Sequence, residues 1–300
     1  MATTSVGQKQ AVALTVDPAH RSELSRAWRR FRANRIALIG LVLITAICLM
    51  AIFADYIAPY DPIEDIFSGK RGEGPSWEHP LGFDHLGRDL LSRVIYGSRV
   101  ALIVGITSTV ITVVIGVLVG AMAGYLGGWV DTVLSRLVDT LMAFPIIALL
   151  IVLAAVLTPG LWTTVVVIGI TTWSRYARVV RADVLSLRER DFVYSARALG
   201  ASDWRIVIRH VLPNVLTPVI VLASLGIGSV IILEAALSFL GLGVRPPTPS
   251  WGGTLADGRA FITRYPHISV FPGIMIVITV LAFNFIGDGV RDALDPHETD

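Results

Sequence analysis

Long apolar runs separated by polar segments dominate the pattern of this chain. Six runs stand out, and each reaches or nearly reaches the roughly 20 apolar residues that a helix needs to cross a bilayer. Pro145 interrupts the third run, and the fourth is short and ends in arginines. The pattern predicts an all-α, polytopic membrane protein with six transmembrane helices at about 36–58, 100–124, 137–157, 162–180, 215–240 and 271–289.

The segment before the first run predicts a helix in the membrane interface. Residues 1–20 are polar and aperiodic, which is typical of a loose tail. Within 22–35, Leu24, Trp28 and Phe31 share one helical face and arginines surround them, as in interfacial amphipathic helices. The first run is too long for a signal peptide and lacks a small-residue cleavage site, so we expect it to remain as an anchor.

Composition and charge agree with a membrane location. Hydrophobic residues make up 54% of the chain and charged residues 16%, and the mean hydropathy is +0.68, whereas soluble domains carry about 25% charged residues. Arginines cluster at 21–35 and 175–209, and beside membrane spans such clusters mark the cytoplasmic side. Six spans place both termini on that side. A basic patch can also bind nucleic acid, but the topological interpretation is favoured and we expect no nucleic-acid partner.

The chain offers little chemistry for catalysis, a cofactor or a metal. Cys48 is the single cysteine, which excludes an internal disulfide and a multi-cysteine metal site. All six histidines fall in tails or loops, which disfavours an intramembrane hydrolase because its nucleophile and base would lie inside spans. A glycine-rich phosphate loop ending in Lys-Ser/Thr is missing, so we expect no ATP hydrolysis by this chain.

The segment 181–214 is the most organised of the predicted loops. Residues 183–199 have helical spacing, and Gly200 then predicts the left-handed residue that ends a helix. Ser202 is a good N-cap for a second helix, which we expect Pro213 to break. Two helices joined by a rigid corner are typical of a docking surface.

This loop resembles the cytoplasmic coupling loop through which permeases of ABC importers meet their ATPases. The family motif is Glu-Ala-Ala, then Gly after a short gap, then Leu-Pro. Ser195 stands where the Glu is usual and Arg197 where the second Ala is usual. The resemblance implies that this coupling loop, residues 181–214, binds an ATPase through Ser195, Ala196, Arg197, Gly200, Asp203, Arg209, Leu212 and Pro213.

Further motifs resemble the C-type permease subunit (DppC/OppC-like) of dipeptide, oligopeptide and nickel importers. The resemblance covers about residues 26–296, and the motifs follow the family's order and spacing. Phe83 departs from the family, in which Thr is usual. The matching segments are 79–99, 234–243, 246–252 and 284–296.

The family implies a function and an assembly. The fold would be that of a type I ABC importer permease in the bacterial inner membrane, and the cargo would be dipeptides or oligopeptides moved by alternating access. The implied partners are a homologous B-type permease, two P-loop ATPases that carry ATP and Mg²⁺, an extracytoplasmic solute-binding protein and membrane lipid, with no cofactor in this chain. Import of nickel chelates or another small solute is an alternative, as is a self-sufficient secondary transporter, although the inverted repeats typical of such carriers are not clear here.

Some charged and polar residues are candidates for the pathway or the contact with partners. Glu234, with Ser238 one turn later, falls in the fifth run, where a carboxylate is costly and faces the pathway, a partner subunit or water at the outer interface. Asp139 is expected to pair with Arg136 on one helix face, and Pro145 to kink its span. The stretch 88–99 predicts an interfacial amphipathic helix, and the sharper hypothesis is contact with the binding protein through Arg88, Asp89 and Arg93.

The chain therefore divides into five predicted parts. The termini are cytoplasmic, and the coupling loop lies inside the core domain. The parts are a tail with the interfacial helix (1–35), the first span (36–58), an extracytoplasmic loop (59–99), a core permease domain with five spans (100–290) and a cytoplasmic C-terminus (291–300).

Overall fold

A computed structural model describes residues 23–294 of the chain. The regular structure of these residues is helical apart from two isolated β-bridges, which confirms the predicted all-α class. The predicted tail 1–20 and the chain from 295 onward lie outside the described residues. The α-helices are α1 (Glu23–Ala33), α2 (Arg35–Ile52), α3 (Ala54–Ile57), α4 (Leu90–Leu126), α5 (Gly128–Ala143), α6 (Ile146–Val156), α7 (Leu161–Arg188), α8 (Asp191–Ala198), α9 (Asp203–Ile206), α10 (Leu212–Phe239), α11 (Trp251–Arg259) and α12 (His267–Leu294).

Within residues 23–294, four helical segments are long and apolar enough to cross a membrane. They are α2, α4, α12 and the continuous segment Asp203–Phe239 that contains α9 and α10. The pair α5 and α6 adds a fifth span if it counts as one, although the two helices meet at 90°. The sixth expected span, 162–180, lies in α7, whose 28 residues reach about 42 Å at 1.5 Å per residue. Arginines in its second half make α7 less apolar than the others, so the sixth span stays a prediction.

Small residues bring α4 and α7 into close contact. A Cβ at Gly116 would lie 2.5 Å from the Cβ of Tyr176, and one at Gly120 would lie 2.6 Å from the carbonyl oxygen of Ala177. Glycine-lined contacts of this kind let helix backbones approach within a membrane. The close approach fixes α4 and α7 as one unit, which carries part of the wall of the cavity described below.

The N-terminal helix docks on the end of the last one. Phe31 is buried in a cluster with Ala37 and Ala293, and its ring stacks on Trp28 at 5.8 Å. Asn34 caps α2 through the N–H groups of residues 36 and 37 and donates to Asp292 at 3.0 Å. The predicted helix before the first span is therefore present as α1, and Phe31 of its apolar face packs on protein.

Two predicted helix boundaries are wrong. The stretch 88–99 is no separate interfacial helix, because α4 begins at Leu90 and continues without a break to Leu126. The predicted helix 183–199 is interrupted: α7 ends at Arg188, and α8 starts at Asp191. Helical spacing indicates that a segment is helical, but it does not locate the residue at which one helix ends and the next begins.

Candidate functional site

The coupling loop turns at Gly200, as predicted. Gly200 has φ +81°, its N–H donates to the Arg197 carbonyl at 3.0 Å, and the N–H of Ala201 donates to the Ala196 carbonyl at 3.1 Å. These two bonds form a Schellman helix end, in which glycine takes the left-handed position. A Cβ built there meets no atom within 4 Å, so the backbone conformation alone requires the glycine.

Buried apolar side chains anchor the turn at Gly200 to α4 and α7. Val193 of α8 and Ile206 of α9 are both fully buried. They pack in one cluster with Tyr125 at the end of α4 and with Val180 and Val184 of α7. The coupling loop is therefore fixed to the ends of two membrane helices by its own hydrophobic core.

A polar contact adds to this anchor. The Tyr125 hydroxyl donates to the Asp203 carboxylate at 2.7 Å and accepts from Arg197 at 3.3 Å. The hydrogen bond to Tyr125 raises the pKa of Arg197 above its ordinary value. Ser202 occupies the N-cap position, as predicted, but its side chain makes no capping bond. Asp203 thus takes part in holding the corner through its side chain, besides standing in the first turn of α9.

Large apolar side chains remain exposed at the tip of the coupling loop. Leu199 is 89% exposed and Trp204 is 72% exposed, one on each side of the Gly200 corner. Phe192, Tyr194 and Ile208 lie nearby in the chain and are also exposed. The coupling loop therefore has large apolar side chains on both sides of Gly200 that this chain does not cover.

Pro213 does not end the helix, contrary to the prediction. The chain is helical over the whole of Asp203–Phe239, and a π turn over Val207–Val211 precedes the proline. The N–H of Leu212 bonds to the carbonyl of Val207, five residues back. The wider turn makes room where the proline ring would otherwise meet the preceding turn. The coupling loop is thereby continuous with α10.

The remaining predicted coupling residues lie on the same loop. Ser195, Arg197 and Arg209 are exposed, as is Pro213 at the start of α10, and Ala196 and Leu212 are half-buried. The predicted residues thus lie together on the coupling loop, between α8 and the first turn of α10.

Two arginines pin α7 to α5. Arg181 binds both oxygens of Asp131, at 2.5 and 2.7 Å, and Arg178 donates to Asp139 at 2.7 Å. Asp139 therefore pairs with Arg178 of the neighbouring helix. The predicted pair with Arg136 of its own helix is wrong. The intrahelical partner was wrong because the neighbouring helix presents a guanidinium that sequence spacing does not reveal.

Pro145 breaks its span more sharply than a kink. Phe144 and Pro145 are extended, and α6 starts after them at 90° to α5. The break places Phe144 and Ile146 in the wall of a cavity, whereas Pro145 is not among the lining residues. The proline therefore acts on the cavity through its neighbours.

This cavity has a volume of about 730 Å³. It is half-enclosed by this chain and lies between α4, the α5–α6 break, α7, α10 and α12. Its apolar part includes Leu141, Met142 and Leu233. Its polar part consists of Thr109, Thr112, Thr171, Thr172, Ser174, Arg175, Tyr176, Ser229 and Asn284.

Glu234 and Ser238 lie away from the cavity. Glu234 is 1% exposed and accepts from the Ser238 hydroxyl at 2.7 Å. Ser238 in turn accepts from the backbone N–H of Val244 at 3.2 Å. Burial contradicts the hydrated alternative for Glu234, and within this chain the pair ties the end of α10 to the turn that follows.

The end of the bundle opposite the coupling loop carries a cap, formed by residues 59–89 and 241–266. His79 bonds to Asp89 at 2.9 Å and packs among the rings of Tyr60, Phe67 and Phe83. The Trp251 indole donates to the Val94 carbonyl at 2.9 Å. These contacts give the cap a core of its own, and the histidine in it is structural.

The charged residues predicted to contact the binding protein are buried in this cap. Arg88, Asp89 and Arg93 are 5%, 0% and 4% exposed. Arg88 donates to Asp84 at 2.6 Å, Asp89 caps α4 through Ser92, and both arginines lie within 4 Å of Asp257. Such side chains are not free to contact a second protein directly, so the expected binding-protein contact is wrong for them.

Sequence reasoning missed the cavity. Its polar residues come from helices far apart in the chain, so no spacing rule collects them. One signal was present: hydroxyl residues and Arg175 follow one another within the fourth apolar run, at 171–175. In the sequence pattern, that arginine is only one member of the cluster whose positive charge indicates the cytoplasmic side.

The fold and the site together define a class of protein: a permease subunit of an ABC importer, with a half-enclosed cavity among membrane helices and a docking loop at one end. The profile of the family "Binding-protein-dependent transport system inner membrane component" matches residues 116–299, and that of the "N-terminal TM domain of oligopeptide transport permease C" matches 22–75. The chain belongs to the family of binding-protein-dependent inner membrane components.

Curated relatives cover nearly the whole chain. The glutathione transport system permease protein GsiD of Shigella flexneri serotype 5b is 46% identical over 269 residues, which is 90% of this chain and 89% of the relative. GsiD of Escherichia coli O6:K15:H31 is 44% identical over the same shares. These relatives are permease subunits, and in this class ATP is hydrolysed by separate ATPase subunits.

A solved structure shares the fold. A chain of the MetNI methionine ABC transporter in an inward-facing conformation matches with a TM-score of 0.57 and 20% identity, covering 69% of this chain and 98% of that chain. The likeness confirms the permease fold. The protein is accordingly a multi-pass component of the inner membrane that works with an ATPase and a binding protein.

Proposed function

We propose that this chain is the C-type permease subunit of an ATP-driven importer of short peptides. The 46% identity to a glutathione permease supports this cargo most strongly, since it spans 90% of the chain. The match of 22–75 to the N-terminal domain of oligopeptide permease C supports the C-type assignment. A cavity of about 730 Å³ is of the size that encloses small ligands.

The assembly that we propose contains a second, B-type permease, two P-loop ATPases with their ATP and Mg²⁺, and an extracytoplasmic binding protein. The cavity supports a second permease, because this chain alone leaves it open. The exposed Leu199 and Trp204 support an ATPase at the coupling loop. The arginines of that loop support placing it, and both termini, in the cytoplasm.

In the mechanism that we propose, the ATPases drive alternating access by moving the coupling loop. The loop is fixed to α4 through Tyr125 and continues without a break into α10. Both helices line the cavity. ATP and the loaded binding protein would favour different states of this unit through differential binding.

The test is uptake in proteoliposomes that contain this chain with its partner permease, ATPases and binding protein. We expect ATP-dependent uptake of radiolabelled glutathione, and none with a non-hydrolysable ATP analogue. Uptake that persists without the ATPases would contradict the proposal, because the chain would then be a self-sufficient carrier.

A matched pair of glycine variants tests the coupling loop within this assay. Gly200 and Gly241 have φ of +81° and +77°, and neither would bring a Cβ within 4 Å of another atom. A Val at either position costs about 1–2 kcal/mol of backbone strain. We expect Gly200→Val to lower uptake at least tenfold and Gly241→Val, on the cap, to keep more than half of it. Equal losses in both would mean that the strain acts through stability alone.

A further inference from the structure

The arginines of α7 differ in whether they have a carboxylate partner within the described chain. Arg178 and Arg181 each have a carboxylate partner on α5. Arg175, one turn before Arg178, has no hydrogen bond or ion pair with any residue between 23 and 294 and lies on the cavity wall. It is also the only charged residue among the described residues that line the cavity.

Arg175 lies midway along α7, and its side chain is exposed in this chain alone. A charged side chain at membrane depth faces protein or water and takes an opposite charge or several acceptors as partners. The guanidinium offers five N–H donors in a planar fork that matches a carboxylate. Within residues 23–294 no carboxylate pairs with Arg175, so an anion that enters the cavity can reach its guanidinium.

Some threonines of the cavity wall offer hydrogen-bond acceptors. The hydroxyls of Thr109, Thr171 and Thr172 donate to carbonyls of their own helices, at 2.7 to 2.8 Å. Each hydroxyl has a single proton and two lone pairs, so Thr109 and Thr171 present only acceptors to the cavity. Thr172 also lies 2.6 Å from the Thr112 hydroxyl, and either of these two hydroxyls can be the donor. The acceptors of Thr109 and Thr171 suit the N–H and ammonium groups of a ligand, whereas Arg175 suits its carboxylate.

We propose that Arg175 binds the C-terminal carboxylate of the peptide during its passage through the permease. This inference rests on the proposed function and deepens it, because it names the group that the transmembrane site reads. The C-terminal carboxylate is the anionic group that all unmodified peptides share. The site therefore selects for a free carboxylate and tolerates different side chains.

The first experiment compares uptake of glutathione and of its glycine amide by the reconstituted importer. The binding protein contributes equally to wild type and variant, so its own preference cancels when the acid-to-amide uptake ratio of the variant is divided by that of wild type. We expect Arg175→Gln to lower the ratio about tenfold, as loss of a charge-assisted hydrogen bond predicts, and Arg175→Lys to lower it less. Arg136→Gln removes an exposed arginine of α5 outside the cavity and should leave the ratio unchanged.

An unchanged ratio in Arg175→Gln overturns the inference, whether both peptides are lost equally or neither is. Equal loss would mean that Arg175 pairs with a carboxylate of the partner permease. A wild type without any ATP-dependent uptake contradicts the proposed function instead.

The second experiment measures binding of glutathione alone and does not use its glycine amide. Equilibrium binding of radiolabelled glutathione is measured on the purified membrane complex without binding protein or ATP. We expect Arg175→Gln to weaken binding about tenfold relative to wild type and to Arg136→Gln. Equal binding in all three proteins, or none in wild type, overturns the inference.

Discussion

At the cap, Arg88 and Arg93 are 5% and 4% exposed and lie against Asp84, whereas at the coupling loop Leu199 and Trp204 are 89% and 72% exposed. The cap thus buries even its charges and completes its own packing. The coupling loop buries an anchor and leaves its large apolar side chains to solvent. The difference shows which end of the molecule completes its own packing and which end leaves apolar surface for the partner that we propose.

The largest expected effect comes from breaking the cap. Asp84 is fully buried and accepts hydrogen bonds from the Arg88 side chain and from two backbone N–H groups. Asp84→Ala leaves two buried arginines short of a partner, so we expect the free energy of unfolding to fall by about 3 kcal/mol. Unfolding in detergent, followed by circular dichroism, measures this. Wild-type stability in the variant would show that the cap is not held by these charges.

A smaller effect is expected at the coupling loop, where the affinity for the ATPase changes and the stability of the permease does not. Trp204→Ala should leave stability unchanged, because the side chain is exposed, and should weaken ATPase binding by about 2 kcal/mol, or roughly 30-fold. Titration of the detergent-solubilised permease pair with ATPase measures the affinity. Trp77→Ala is the matched control, since Trp77 of the cap is 102% exposed. If both variants weaken binding equally, exposure does not identify the docking surface.

The smallest effect should come from the ion pair between α5 and α7. Arg178 and Asp139 are 53% and 54% exposed, and exposed pairs contribute about 0.5 kcal/mol. Arg178→Gln should therefore change the unfolding free energy by no more than that, six times less than Asp84→Ala. A loss near 3 kcal/mol would mean that this pair behaves like the buried charges of the cap.

Local chemistry in the sequence predicted several features. Gly200 was predicted as a left-handed helix end because glycine alone takes that conformation cheaply, and the structure confirms it at φ +81°. Apolar runs predicted the all-α class and most of the spans because burial in lipid requires length and hydropathy.

Long-range partners were not predictable in the same way. Asp139 pairs with Arg178, which is 39 positions away, and a helical spacing rule names only Arg136. Arg88 and Arg93 look like surface charges until Asp84 and Asp257 are placed beside them. The cavity around Arg175 depends on five separate parts of the chain, so only the assembled fold reveals it.

Cross-linking from the two exposed tryptophans tests the central claim most directly. Trp204→Cys and Trp77→Cys, each in a Cys48→Ala background, are treated with a short bifunctional thiol reagent in native membranes, and the products are identified by mass spectrometry. The account predicts a P-loop ATPase cross-linked from position 204 and none from position 77. An ATPase cross-linked from position 77, or from neither position, would contradict the assignment of 181–214 as the coupling loop.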